Sequence, residues 1–149
     1  MNEKATFGAG CFWHVEEQFS KVGGVIETTA GFMGGEKKDP TYEEVSTGKT
    51  GHAEAVQVEY DPSKIAYDDL LDIFWNIHNP TLLNQQGADV GTQYRSVIFY
   101  HSESQKRIAL ESKSRLPNAS QVVTEIVPVG VFYSAEEYHQ KYIKRRGLC

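Results

Sequence analysis

Apolar residues recur at Phe12, Val15, Phe19 and Val22, the spacing that turns one face of a helix toward a core. Residues 5–8 just before them read as a short strand. Residues 25–30 alternate as a second strand, and a glycine-rich loop over residues 31–40 follows. Thr41 with Glu44 forms a capping-box pattern for a short helix. Ala53–Tyr60 carries the clearest strand alternation and stops at Asp61-Pro62. Leu70, Leu71, Phe74, Trp75 and Ile77 predict a helix over residues 67–78. Residues 79–94 form a long loop with few apolar positions. A strand is expected at Ser96–Tyr100, then a helix capped by Ser102 and Gln105 and running to about Leu116. Residues 122–127 read as a strand, and Ser134 with Glu137 predicts a last helix ending near Arg146.

Strands interleaved with helices in this order predict an α+β domain, a mixed sheet packed against helices in two layers. Neither a repeat nor a linker interrupts the 149 residues, so the whole chain, 1–149, is expected to be a single domain. A loop as long as 79–94 is more often functional than a plain connection. The formal net charge of −5 disfavours nucleic acid and anionic membranes as partners, which favour a basic face. Neither a signal peptide nor a membrane span is legible, which makes the cytoplasm the expected location. Two cysteines, Cys11 and Cys149, are too few for a disulfide framework or a structural zinc site. Neither a metal nor a cofactor is expected, and the two thiols are either bystanders or redox chemistry.

Position separates those readings. Gly8-Ala9-Gly10 lets the chain turn sharply from the first strand into the first helix, leaving Cys11 at the helix mouth. Free N–H groups and the positive end of the helix dipole are expected to favour its thiolate there, as a sulfur nucleophile requires. The alternative is that Cys11 is a small buried hydrophobe. Phe12 and Trp13 point about 100° apart around the helix, so one of them is expected to face the opening near Cys11. The other reading has one ring in the core and the other covering the helix end.

A second chemical signal lies in Ala53–Tyr60. If Val56, Val58 and Tyr60 face the core, strict alternation turns Glu54 inward as well. A buried glutamate is costly to ionise, and a neutral one can give a proton to an oxygen that must leave. The alternative is a strand-end glutamate that bends out to solvent. His52 reads as structural or solvent-facing, and His14, His78 and His139 fit amphipathic helices better than catalysis.

Gly10-Cys11-Phe12-Trp13, Pro40-Thr41-Tyr42, the run Gly51-His52-Ala53-Glu54-Ala55-Val56, and the run Gly91-Thr92-Gln93-Tyr94-Arg95-Ser96 together resemble one family. It is the peptide methionine sulfoxide reductase A family, specific for the S epimer. The motifs match in order over nearly the whole chain. The resemblance implies a two-layer α/β sandwich and attack by Cys11 on the sulfoxide sulfur, leaving a sulfenic acid. It implies that Phe12 and Trp13 take up the substrate methyl group, that Tyr42, Glu54 and Tyr94 hydrogen-bond and protonate the sulfoxide oxygen, and that Asp89 supports the pocket. Those roles suit a polar S–O bond, which needs acidic donors at oxygen and an electron-rich atom at sulfur. The chain departs from the family pattern at His14, Ser46, Asn79 and Val90, none of them in this set.

The resemblance also assigns Cys149 as the resolving cysteine, forming a Cys11–Cys149 disulfide that thioredoxin or another dithiol reduces. Lys141, Lys144, Arg145 and Arg146 precede it and either favour its thiolate or complement a helix C-terminus. The expected partners are thus methionine sulfoxide, free or in proteins, and a dithiol reductant. A thiol peroxidase, an alternative from the same cysteines, would need an arginine at the thiolate. A cysteine hydrolase would use His14 as base, but no acyl-type oxyanion motif accompanies it. A non-enzymatic binding module would leave the inward glutamate and the long loop without a purpose.

Overall fold

A computed structural model describes residues 2–143 of the chain. Strand β1 (Glu3–Ala9) leads into helix α1 (Phe12–Ser20), and β2 (Val25–Met33) returns antiparallel to the next strand. The short helix α2 (Tyr42–Ser46), β3 (Ala53–Tyr60) and α3 (Tyr67–Asn76) follow. The loop after α3 folds as a two-strand hairpin, β4 (Gln85–Gln86) with β5 (Asp89–Val90), and one 3-10 turn at Thr92–Tyr94. Then come β6 (Ser96–Tyr100), α4 (Glu103–Ser114), β7 (Glu125–Pro128) and β8 (Tyr133–Ser134). The main sheet has the order β7-β6-β1-β3-β2-β8; only β6 and β7 run parallel, and every other neighbouring pair is antiparallel. A mixed sheet beneath helices is the α+β architecture read from the sequence.

The sheet is buried on both faces. Phe7, Val56, Val58 and Ile98 point to the helix side, where Phe12, Val15, Phe19, Leu70, Leu71 and Phe74 meet them. Phe7 lies at the centre, its ring 5.1 Å from Phe19 and 5.2 Å from Phe74. The opposite face carries Met33, Ala53, Ala55, Val97 and Phe99, with Val127 of β7, Val129 and Phe132 packed against them. Alternation along β3 therefore holds at its N-terminal end too: Glu54 stands on the helix side and is 1% exposed.

Local signals were obeyed where they acted within one turn. Thr41 and Glu44 make both bonds of the capping box, and Ser102 Oγ accepts from the Gln105 N–H. Two expectations fail for tertiary reasons. β2 runs on through Gly31 to Met33 because β8 crosses there, and a Cβ on Gly31 would collide with the Tyr133 carbonyl oxygen. The helix expected from Ser134 does not begin there. Ser134 lies in β8, a 3-10 turn follows at Glu137–His139, Lys141 has φ +54°, and α-helical residues begin only at Tyr142. Gln140 instead acts as a strand surrogate on β2, its carbonyl accepting from the Ala30 N–H and its amide donating to the Ala30 carbonyl, both at 2.8 Å. Among the described residues no helix is long and apolar enough to cross a membrane.

Candidate active site

Gly10 adopts φ +97° and turns β1 into α1, leaving Cys11 as the N-cap residue with extended backbone. Cys11 is partly exposed. The first free amide of α1, Phe12 N–H, donates to Glu54 Oε1 at 3.1 Å. That bond ties the glutamate of β3 to the helix mouth. The other carboxyl oxygen, Oε2, is buried and has no hydrogen-bond partner among the described residues. Burial is the main reason the Glu54 carboxyl is pushed up to about 7; the Phe12 N–H opposes this and the charge of Asp89 adds to it.

The thiol behaves otherwise than the helix-mouth argument expected. Cys11 is pushed up to about 11, first by burial and then by the negative charge of Glu54, with a smaller push from Asp89. The N–H groups of Trp13 and His14 do lower it, but they are outweighed. A half-buried sulfur beside a carboxylate loses more by desolvation and repulsion than two amide dipoles return. The resting sulfur is a thiol, and among the described residues the charged groups acting on it, Glu54 and Asp89, are both negative. Among the described residues, the arginine-held thiolate of a peroxidase is not the arrangement present.

Two tyrosines complete the polar group. Tyr42 opens α2 and Tyr94 closes the 3-10 turn, and Gln93 fastens the two elements by donating from Nε2 to the Ser46 carbonyl at 3.2 Å. Burial raises Tyr42 above the usual phenol range and Tyr94 to about 12. Glu54, Cys11 and Asp89 act on both phenols. Each is therefore a neutral O–H donor at physiological pH, the form that can hold an oxygen. Asp89 lies on the exposed strand β5 and lines a cleft of about 490 Å³ together with Cys11, His14, Gln18, Asn76 and Gln86.

On the other side of Cys11 stands an aromatic wall. Phe12 is fully buried, its ring 5.7 Å from Phe32 and 6.0 Å from Tyr42. Trp13 is half-buried and stacks on Tyr142 with centroids 3.9 Å apart. Its Nε1–H donates to His139 Nδ1 at 3.0 Å. The structure thus brings Cys11, Phe12, Trp13, Tyr42, Glu54, Asp89 and Tyr94 to one region. Cys149, with residues 144–148, lies outside the described residues.

His139 and Tyr142 both fall within the helix that Ser134 and Glu137 predict, which gives neither a place at the site; the aromatic-rich stretch Tyr138-His139-Gln140-Lys141-Tyr142 is the signal that could have found them. His52 is buried rather than solvent-facing. Its Nδ1 accepts from Gly35 N–H at 3.0 Å and its Nε2 donates to the Lys37 carbonyl at 2.7 Å, which braces the glycine-rich loop. His78 is likewise structural: Nδ1 donates to the Phe74 carbonyl at 2.6 Å, and burial depresses it to about 4.

Comparison with known proteins decides the family. The family model described as peptide methionine sulfoxide reductase matches residues 3–148. The chain belongs to the peptide methionine sulfoxide reductase family. It is 60% identical over 147 residues to the peptide methionine sulfoxide reductase MsrA of Methanothermobacter thermautotrophicus, covering 96% of this chain and 87% of that protein. Among solved structures it is similar to reduced Mxr1 of Saccharomyces cerevisiae, with a TM-score of 0.94, 35% identity, and coverage of 99% of this chain and 87% of that one. A structure of the same yeast protein in complex with Trx2 matches with a TM-score of 0.67 and 26% identity, over 95% of this chain and 84% of that one.

Proposed function

We propose that this chain reduces methionine-S-sulfoxide, free or in proteins, to methionine with Cys11 as the nucleophile. One observation carries the reading beyond family membership. Glu54 is held by one oxygen to the helix that presents Cys11, while its other oxygen is buried without a partner and its carboxyl titrates near neutrality. A carboxyl in that state is a proton donor waiting for an acceptor, and a sulfoxide oxygen is one.

The chemistry follows from the charges. The sulfoxide methyl and thioether end lies against the aromatic wall of Phe12 and Trp13. Its oxygen accepts from neutral Glu54 and from the phenols of Tyr42 and Tyr94. Cys11 sulfur attacks the sulfoxide sulfur as Glu54 protonates the oxygen, and the carboxylate recovers the proton that the thiol gives up. In net terms the oxygen atom moves to Cys11 as a sulfenic acid, and methionine leaves with its sulfur reduced by two electrons. Attack by the Cys149 thiol on that sulfenic acid releases water and forms a Cys11–Cys149 disulfide. A dithiol returns both cysteines to thiols and becomes a disulfide itself. The yeast relative solved with Trx2 supports a thioredoxin in that role.

The roles are separated by single-turnover assays on the two sulfoxide epimers. The wild type is expected to turn over only the S form, and Cys11→Ser to release no methionine. Cys149→Ser is expected to release one methionine per chain and then stop unless an external thiol is supplied. Loss of that single equivalent in Cys149→Ser would remove the division of labour between the two thiols, and turnover of the R epimer would contradict the substrate assignment.

A further inference from the structure

Helix α1 carries a buried carboxylate that the chemistry above does not use. Glu16 is 1% exposed. Its Oε1 accepts the backbone N–H of Lys141 at 2.8 Å, and its Oε2 accepts from Thr28 Oγ1 at 2.9 Å and from Lys141 Nζ at 3.1 Å. The Lys141 ammonium has two further acceptors, Glu27 Oε1 at 2.7 Å and the Thr28 carbonyl, so its three donors meet three oxygens. Lys141 itself lies in the left-handed region at φ +54°, where a residue with a side chain stays only if its surroundings hold it. The grip of one carboxylate on both the backbone and the side chain of the same residue supplies that hold.

What the grip positions is the site. Trp13 and Glu16 are three residues apart on α1 and therefore lie on the same side of the helix. Glu16 holds Lys141, and Trp13 contacts Tyr142, next in the chain, and His139, two positions before it. Tyr142 stacks on the indole with planes 10° apart, and His139 accepts the indole N–H. The positive φ of Lys141 reverses the chain between those two contacts.

We propose that Glu16 and Lys141 are positioning residues whose buried contact fixes Tyr142 and His139 against Trp13, and thereby sets the aromatic wall that receives the methyl-thioether end of the substrate. This rests on the functional reading above, since it takes the wall as the substrate's apolar subsite. It assigns Glu16 no part in proton transfer and predicts a binding defect, not a chemical one.

The test uses the full chain as Glu16→Gln and, separately, Lys141→Met. One readout is the Trp13 indole N–H resonance in a proton–nitrogen spectrum, identified by its loss in Trp13→Phe. The other is steady-state reduction of methionine-S-sulfoxide with dithiothreitol. Both variants are expected to move the Trp13 resonance and leave that of Trp75, which donates to Ser112 Oγ, in place. KM is expected to rise at least about fivefold with kcat within about twofold. The proposal is overturned if the folded variants lose thermal stability but keep the Trp13 resonance, or if KM is unchanged, or if kcat alone falls. If the wild type does not reduce the sulfoxide, the functional reading fails, and the indole resonance alone decides whether the clamp holds the wall.

Discussion

At the scale of single residues, the chemistry rests on two groups whose protons are shifted in the same direction for the same reason. Glu54 at about 7 and Cys11 at about 11 are both raised first by burial. Ionised Glu54 also repels the thiolate, so the two titrations are coupled. Replacing Glu54 with Gln therefore has opposite effects on two measurements. Alkylation of Cys11, followed by mass spectrometry so that Cys149 does not interfere, is expected to reach half-maximal rate at lower pH, because the like charge is gone. Sulfoxide reduction in the same variant is expected to fall by about 10²- to 10³-fold, the usual loss for a positioned proton donor. In the wild type that rate is expected to decline as pH rises through about 7, where Glu54 gives up its proton. An unchanged alkylation profile in Glu54→Gln, or full reductase activity, would separate the two groups.

At the scale of elements, the sequence was most legible where an element is decided by its own residues. The limits of β3 and β6 were read correctly because alternation and flanking turn residues are local. The Thr41–Glu44 and Ser102–Gln105 caps were read because they close within one turn. The pattern ends β2 before Gly31, because glycine reads as a loop residue. Here it stays in the strand because Phe132 and Tyr133 pass directly over it. Gly31→Ala is accordingly expected to push β8 off β2 and cost about 1–3 kcal/mol in urea denaturation. Faster hydrogen exchange of Ala135 N–H, which bonds the Ala30 carbonyl at 2.9 Å, is the local sign. Wild-type stability and exchange in that variant would show that the crossing adapts freely.

At the scale of the whole molecule, two buried titratable groups act on stability in opposite directions. The Glu54 carboxyl is raised from 4.5 to about 7 in the folded state. The native form therefore binds more protons than the unfolded form between those values, and stability is lost as pH rises through that window. His78 is depressed from 6.5 to about 4, so its contribution is lost as pH falls from about 6.5 toward 4. The two slopes partly cancel in the wild type. The difference between Glu54→Gln and wild type isolates one of them. That difference is expected to shift in favour of the variant by on the order of 3 kcal/mol from pH 4.5 to 7.5, read from urea denaturation at each pH. A difference that does not change with pH would mean that the native carboxyl titrates like an unfolded one.

The sequence by itself determined the order of elements from β1 to β7 apart from the hairpin after α3, the helix-mouth cysteine, the inward side of Glu54 and the family. All of these follow from periodicities and motifs that neighbouring residues impose on one another. Tertiary structure decided what the local pattern could not carry. The helix dipole argued for a thiolate at Cys11, but the sign of that shift depends on burial and on a carboxylate 43 positions away in the chain. The last segment had a helix's caps and spacing, yet Gln140 found a strand edge and Lys141 a buried carboxylate, and those partners outweighed its local preference. In both cases the deciding term is an interaction between distant parts of the chain, whose strength is set by exclusion of water that only the assembled fold provides.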